Sequence, residues 1–193
     1  MHLNSQLIFS KYAVDYFQDG MKVLEIGPDG FPSTYRKLID NSTLQWETID
    51  ILDDERLTHK AIDEYNFGLP DNAYDIVVSG QVIEHVRKTW RWIREVSRVC
   101  KPGGCVVTVN PVSWGYHEAP IDCWRIYPEG MKSLYDEADL EVEHCVAESL
   151  EPLSRRVSQY LKVFRKVLTG GTVAASGLPP VVDTITIGRK KAA

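Results

Sequence analysis

Two short runs constrain this chain more than any other feature: Asp75–Ser79 (DIVVS) and Cys105–Val109 (CVVTV), each with three apolar residues in succession. A strand with one wet face alternates apolar and polar residues. A run that is apolar throughout needs cover on both faces, the condition of a central strand in a parallel sheet layered by helices. Between the two runs, residues 87–100 read as a helix. Trp90, Trp92, Ile93, Val96 and Val99 are interleaved with Arg87, Lys88, Arg91, Arg94 and Arg98, giving an amphipathic helix with a basic outer face. Lys101-Pro102-Gly103-Gly104 ends it.

The same rhythm runs along the rest of the chain. Residues 21–27 (MKVLEIG) form a buried strand that stops at glycine, and a helix follows over 33–39 with Pro32 near its start. Residues 44–51 give a second strand, 54–62 (DERLTHKAI) a short helix, and 73–80 a strand entered from a Pro70-Asp71-Asn72 turn. Leu3, Leu7, Ile8, Tyr12 and Tyr16 recur at helical spacing near the start. Beyond the strand at 105–111, helices are expected over 129–137 and 154–168. Strands are expected over 139–149 and, after a Gly/Pro-rich turn, 181–189. Strand and helix in alternation predict an α/β fold with a mostly parallel sheet. No internal repeat or composition shift divides the 193 residues, so one domain is expected.

Composition excludes several classes of function. The formal charge is −5 and no dense Lys/Arg tract offsets it, which argues against a nucleic-acid partner. No run approaches the roughly 20 apolar residues of a membrane span, and the first residues lack the pattern of a signal peptide. Cys100, Cys105, Cys123 and Cys145 form no C-x-x-C pair and fit reduced thiols in a cytoplasmic protein.

The sharpest local signal is Glu25-Ile26-Gly27-Pro28-Asp29-Gly30 at the end of a strand. Glycine lets the backbone turn and approach a ligand. Asp50 lies at the end of the next strand, about 20 residues on, where an acid accepts the ribose hydroxyls of a nucleoside cofactor. Asp29 and Pro32 break the G-x-G-x-x-G pattern of dinucleotide sites, and Asp29 puts negative charge where a pyrophosphate would lie. A cationic sulfonium cofactor has the opposite requirement, met by Glu25 or Asp29.

These segments, with residues 67–86 (FGLPDNAYDIVVSGQVIEHV) and 92–111 (WIREVSRVCKPGGCVVTVNP), resemble the class I S-adenosylmethionine (SAM)-dependent methyltransferases over roughly residues 20–111. The resemblance implies a Rossmann-like three-layer sandwich with a seven-stranded, mostly parallel sheet. It implies SAM as cofactor, with Glu25, Gly27 and Gly30 at the methionine end, Asp50 on the ribose, and Ile51 and Leu52 against the adenine. Asp63 would lie near the adenine amino group, and Gly80 and Gln81 beside the sulfonium. Asp29 and Phe31 stand where the family usually carries glycines.

The loop over 112–128 offers Trp114, Tyr116, His117, Asp122, Trp124 and Arg125, a mixture of flat apolar faces and polar groups suited to an acceptor pocket. His85 and His117 are the candidate bases. Arg125 either anchors an acidic acceptor or pairs with Asp122. A methyl acceptor that is a small molecule is expected, with a hydroxyl of a sugar or secondary metabolite favoured, and a monomer or homodimer. A nucleotide-dependent oxidoreductase and a non-catalytic SAM-binding partner subunit are the alternatives. No H-x-x-H or cysteine pair supports a structural zinc site, and nothing specific supports magnesium.

Overall fold

The computed structural model describes residues 1–118, 120–168 and 181–192. Seven strands form one sheet: β1 (Lys22–Ile26), β2 (Gln45–Asp50), β3 (His59–Lys60), β4 (Tyr74–Gly80), β5 (Cys100–Pro111), β6 (Leu140–Glu148) and β7 (Asp183–Lys190). Their order is β3-β2-β1-β4-β5-β7-β6, and β7 runs antiparallel to both of its neighbours while the other pairs are parallel. Among the described residues five α-helices accompany them: α1 (Leu3–Tyr12), α2 (Thr34–Leu38), α3 (Thr89–Val99), α4 (Pro128–Asp136) and α5 (Leu153–Leu168). The Gly/Pro-rich turn expected before β7 lies outside the described residues.

The two apolar runs occupy neighbouring central strands, β4 and β5. Because a strand's side chains alternate between faces, each run feeds two cores. Leu24, Val77 and Val106 enter one core with Trp92, Ile93 and Val96 of α3 and with Met131 and Tyr135 of α4. Val23, Ile76, Val78 and Val107 enter the other with Ile8 and Phe9 of α1 and Tyr35 of α2. Each aliphatic side chain fully removed from water contributes about 1.5–3 kcal/mol, so covering both faces is what fixes the three layers.

One local expectation fails. Residues 54–62 form no helix; the segment turns and adds the short strand β3 beside β2. Side chains compete with the helical ladder here. Asp54 accepts the Arg56 amide at 3.0 Å, Thr48 and Thr58 each accept the other's amide at 3.1 Å, and the Ala61 amide donates to the Asp50 carbonyl at 2.9 Å. The helix expected near the start forms as α1, and its buried face adds the polar Asn4 and Ser5 to Ile8 and Phe9. Asn4 donates to Asp183 at 2.7 Å and to the Glu148 carbonyl, and accepts the Leu150 amide, so its burial leaves no polar atom unpaired.

The connectivity decides where a ligand can sit. From β1 the chain adds β2 and then β3 on one side, and β4 returns to the other side of β1. The crevice at the carboxyl ends of β1 and β4 is therefore a topological switch point, where open parallel sheets bind ligands.

Candidate functional site

A cleft of about 870 Å³, part of it open to solvent, lies at that switch point. Gly27 at the end of β1, Asp50 at the end of β2 and Gln81 after β4 line it, with Ile51, Val82, His85 and Trp92 among the other walls. Gly27 has φ +67°, and a Cβ there would come within 2.4 Å of Val82 Cγ2, so this turn accepts glycine and little else. Asp50 accepts the Leu52 amide at 2.9 Å through Oδ1. Gln81 holds the left-handed conformation, φ +60°, sparsely populated for a residue with a side chain and concentrated at functional sites. It is held by its amide, which donates to the Val109 carbonyl at 2.8 Å, and by its side chain, which donates to Asp183 at 3.1 Å.

Behind this surface, Glu25 is buried and accepts from Ser33 Oγ at 2.5 Å and Trp46 Nε1 at 2.9 Å. Burial pushes its carboxyl up to about 7 against these two hydrogen bonds, and Asp29 adds to the rise. Ser33 in turn caps α2, accepting the Arg36 amide. Glu25 thus ties the first strand to the first crossover helix. Asp29 accepts both the amide and the hydroxyl of Thr34 at 2.8 and 2.6 Å, so it too serves the start of α2. The Arg56 guanidinium lies 4.6 Å over the Phe31 ring.

After β4 the chain makes a single 3-10 turn, Ile83–His85, to which the 112–128 loop is fastened three times. The Cys123 amide donates to the Glu84 carbonyl and Trp124 Nε1 donates to the Val86 carbonyl, both at 2.8 Å. His85 Nδ1 donates to the Ile121 carbonyl. In the neutral ring that bond puts the proton on Nδ1 and the lone pair on Nε2. His117 stands edge-on to His85 with ring centroids 5.0 Å apart, its own Nδ1 3.1 Å from the Gly115 carbonyl. Glu84 is 1 % exposed, and neither of its carboxyl oxygens has a hydrogen-bond partner among the described residues. Burial pushes it up to about 8.

Within the loop, Ser113–Tyr116 and Asp122–Arg125 line a second, shallower depression. Arg125 donates to both oxygens of Asp122 at 2.6 and 2.7 Å, and to the carbonyls of Trp114, Gly115 and Trp124 at 2.7, 2.9 and 2.7 Å. A guanidinium has five N–H donors, and all five are spent inside the loop. Arg125 therefore braces the loop, the second of the two roles its position suggested. Asp122 is held near 2 chiefly by Arg125.

Residues 43–108 match the family model described as "Methyltransferase domain". An uncharacterized methyltransferase of Mycobacteroides abscessus is 37 % identical over 70 residues, covering 35 % of this chain and 27 % of that protein. The uncharacterized protein YafE of Escherichia coli is 30 % identical over 95 residues, covering 42 % and 44 %. The chain thus spans less than half the length of these curated relatives. Among solved structures, the Haemonchus contortus phosphoethanolamine N-methyltransferase 2, in complex with SAM, aligns over 98 % of this chain and 53 % of its own with TM-score 0.63 and 14 % identity. YcgJ of Bacillus subtilis aligns over 100 % of both chains with TM-score 0.62 and 13 % identity. The [4+2]-cyclase SpnF aligns over 96 % and 81 % with TM-score 0.67 and 19 % identity. The chain has the class I SAM-dependent methyltransferase fold.

Within that methyltransferase fold, Gly27, Asp50, Ile51, Gln81 and His85 come together on the main cleft, and Trp114, Tyr116, Asp122, Trp124 and Arg125 on the loop depression. His117 lines neither and stands beside His85. Glu25, Gly30 and Gly80 do not line the cleft, and Tyr35 packs so closely on Gly80 that a Cβ there would meet its ring at 2.4 Å. Asp63 lies in a neighbouring depression with Ile51, while Glu64 is on the main cleft wall. Sequence reasoning missed Glu64, Phe67 and Trp92 as cleft residues, and missed His2. The His2 ring stacks on Trp114 at 4.8 Å and bonds Asp183, linking the N-terminal segment to the loop. Among the described residues no helix is long and apolar enough to cross a membrane.

Proposed function

We propose that this chain binds SAM in the cleft at the carboxyl ends of β1, β2 and β4 and transfers its methyl group to a small-molecule acceptor held under the 112–128 loop. The observation that carries the reading is the convergence on one cleft of a left-handed glycine with no room for a Cβ, Gly27, and a carboxylate at the end of the adjacent strand, Asp50. Charge supports it as well. The cleft wall carries Asp50 and Glu64 and, among its described residues, no lysine or arginine, which suits a cationic sulfonium and not a pyrophosphate.

When bound, SAM supplies the electrophilic methyl itself, so the protein needs no nucleophile of its own. The chain's part is to bind, orient and exclude water. Gly27 lets the backbone turn beneath the ligand. Asp50 accepts the ribose hydroxyls, and Ile51 and Leu52, both on the cleft wall, pack on the base. Gln81, locked by Val109 and Asp183, shapes the end of the cleft nearest the loop. His85 and His117 deal with the acceptor's proton. Trp114, Tyr116 and Trp124 give the acceptor flat faces, which favours a hydroxyl of a sugar or secondary metabolite.

The test is formation of S-adenosylhomocysteine from SAM on incubation with a panel of sugar and polyhydroxylated acceptors, each product checked for a mass gain of one methyl. Acceptor-dependent turnover supports the reading. Saturable SAM binding without turnover on any acceptor would favour the non-catalytic SAM-binding subunit.

A further inference from the structure

The site contains one group that methyl transfer as described leaves unused. Glu84 sits under the loop with no hydrogen bond to either carboxyl oxygen. A carboxyl so buried is costly unless something pairs with it. His85 Nε2 lies 3.8 Å from Glu84 Oε1, beyond hydrogen-bond reach. One ligand atom each from Glu84, His85 and His117 falls within 4.8 Å of the other two. We propose that Glu84, His85 and His117 form a binding site for a divalent transition-metal ion at the acceptor end of the cleft.

Each part of the arrangement fits that use. Both imidazoles have Nδ1 against a backbone carbonyl, His85 on Ile121 and His117 on Gly115, leaving the two Nε2 atoms as lone-pair donors. This carbonyl-to-imidazole pattern is how metal-binding histidines are oriented. Asp122 Oδ2 lies 3.4 Å from His117 Nδ1 and reinforces it. Two nitrogens and one carboxylate oxygen are the donor set of catalytic sites for zinc and related ions, which keep further positions open. Around a tetrahedral ion with bonds of about 2.1 Å the ligand atoms stand roughly 3.4 Å apart, so the triad must contract by an ångström or so. His117 can supply that movement: it lies on the loop and is 37 % exposed, while Glu84 and His85 belong to the packed turn after β4.

Because His85 also lines the cleft, an ion here would offer its open positions to oxygen ligands at the mouth of the cofactor pocket. A bound cation makes a coordinated hydroxyl more acidic. With both Nε2 atoms on the ion, an acceptor hydroxyl bound there would release its proton to solvent on the open side of the loop, in place of direct removal by His85 or His117. That role rests on the proposed function, while the metal site itself does not.

The experiment uses the full chain without a histidine tag, stripped with a chelator and dialysed. Zn²⁺ is titrated by calorimetry, Co²⁺ by its visible absorption, Mg²⁺ serves as the hard-cation control, and SAM is titrated in parallel. The expected result is one Zn²⁺ per chain, a Co²⁺ spectrum of four- or five-coordination, and at least about a tenfold loss of affinity in Glu84→Gln and in His117→Ala. Circular dichroism melts check that both variants fold, and His117→Ala, on the exposed side of the loop, keeps the test open if Glu84→Gln does not. Absence of stoichiometric Zn²⁺ binding, or binding unchanged in a folded variant, overturns the proposal. Selective uptake of Mg²⁺ overturns it as a transition-metal site. Metal binding without SAM binding leaves this site standing and removes the methyl-transfer reading; SAM binding without metal does the reverse.

Discussion

Replacing Gly27 by alanine puts two separable strains into one position. At φ +67° an L-residue costs about 1–2 kcal/mol relative to glycine. The added methyl would also lie 2.4 Å from Val82 Cγ2, well inside van der Waals contact, and overpacking of that kind costs about 1–3 kcal/mol. The sum is roughly 2–5 kcal/mol, or ~4–20 °C in melting temperature for a chain of this size. The steric part belongs to the pair, so a double-mutant cycle isolates it. Val82→Ala removes the clashing methyl, and Gly27→Ala/Val82→Ala is expected to recover about 1–3 kcal/mol over the sum of the single effects, with the backbone part remaining. Urea denaturation of the four proteins measures all terms. Purely additive single effects, or a Gly27→Ala melt within a degree of wild type, would refute the claim that this glycine is required by the turn and its contact.

Three further outcomes follow from the same structure. Arg125→Lys cannot reproduce five hydrogen bonds, so limited proteolysis should cut within 112–128 faster while the global melt changes by no more than a few degrees; unchanged cleavage would deny Arg125 its bracing role. Glu25, raised from an ordinary value of 4.5 to about 7, holds its proton more tightly folded than unfolded. Its contribution is complete below pH 4.5 and is lost as the pH rises to about 7, by up to roughly 3 kcal/mol, and Glu25→Gln should flatten the stability profile across that window. Trp124→Phe deletes the indole donor to the Val86 carbonyl and should loosen the loop at a cost of about 1 kcal/mol, seen as faster amide exchange of the loop backbone around Cys123 with the core unaffected.

The sheet was legible because its signal is local. DIVVS and CVVTV each hold three apolar residues in succession, and an unalternating run of that kind suits a strand covered on both faces. Gly27 and Asp50 were legible as a pair because consecutive parallel strands put their carboxyl ends side by side. What the sequence concealed depends on partners far along the chain. Asn4 looks like a polar break in a helical stripe until Asp183 meets it. Residues 54–62 carry helix-forming composition, but Thr48, Asp50 and Asp54 redirect the backbone. Arg125 was ambiguous because only folded geometry counts its acceptors. Glu84 and His85 are adjacent in sequence, yet His117 joins them only when the loop folds back, so no metal-ligand spacing was there to read.

The central claim is that the cleft at the switch point is a SAM site, and calorimetric titration of SAM into the purified chain, with NAD as control, tests it most directly. Saturable binding of SAM but not NAD is predicted. Asp50→Ala should weaken it by about 10–100-fold, the value of charge-assisted hydrogen bonds to a ribose. Absence of SAM binding to the folded chain, or affinity indifferent to Asp50, would contradict the account.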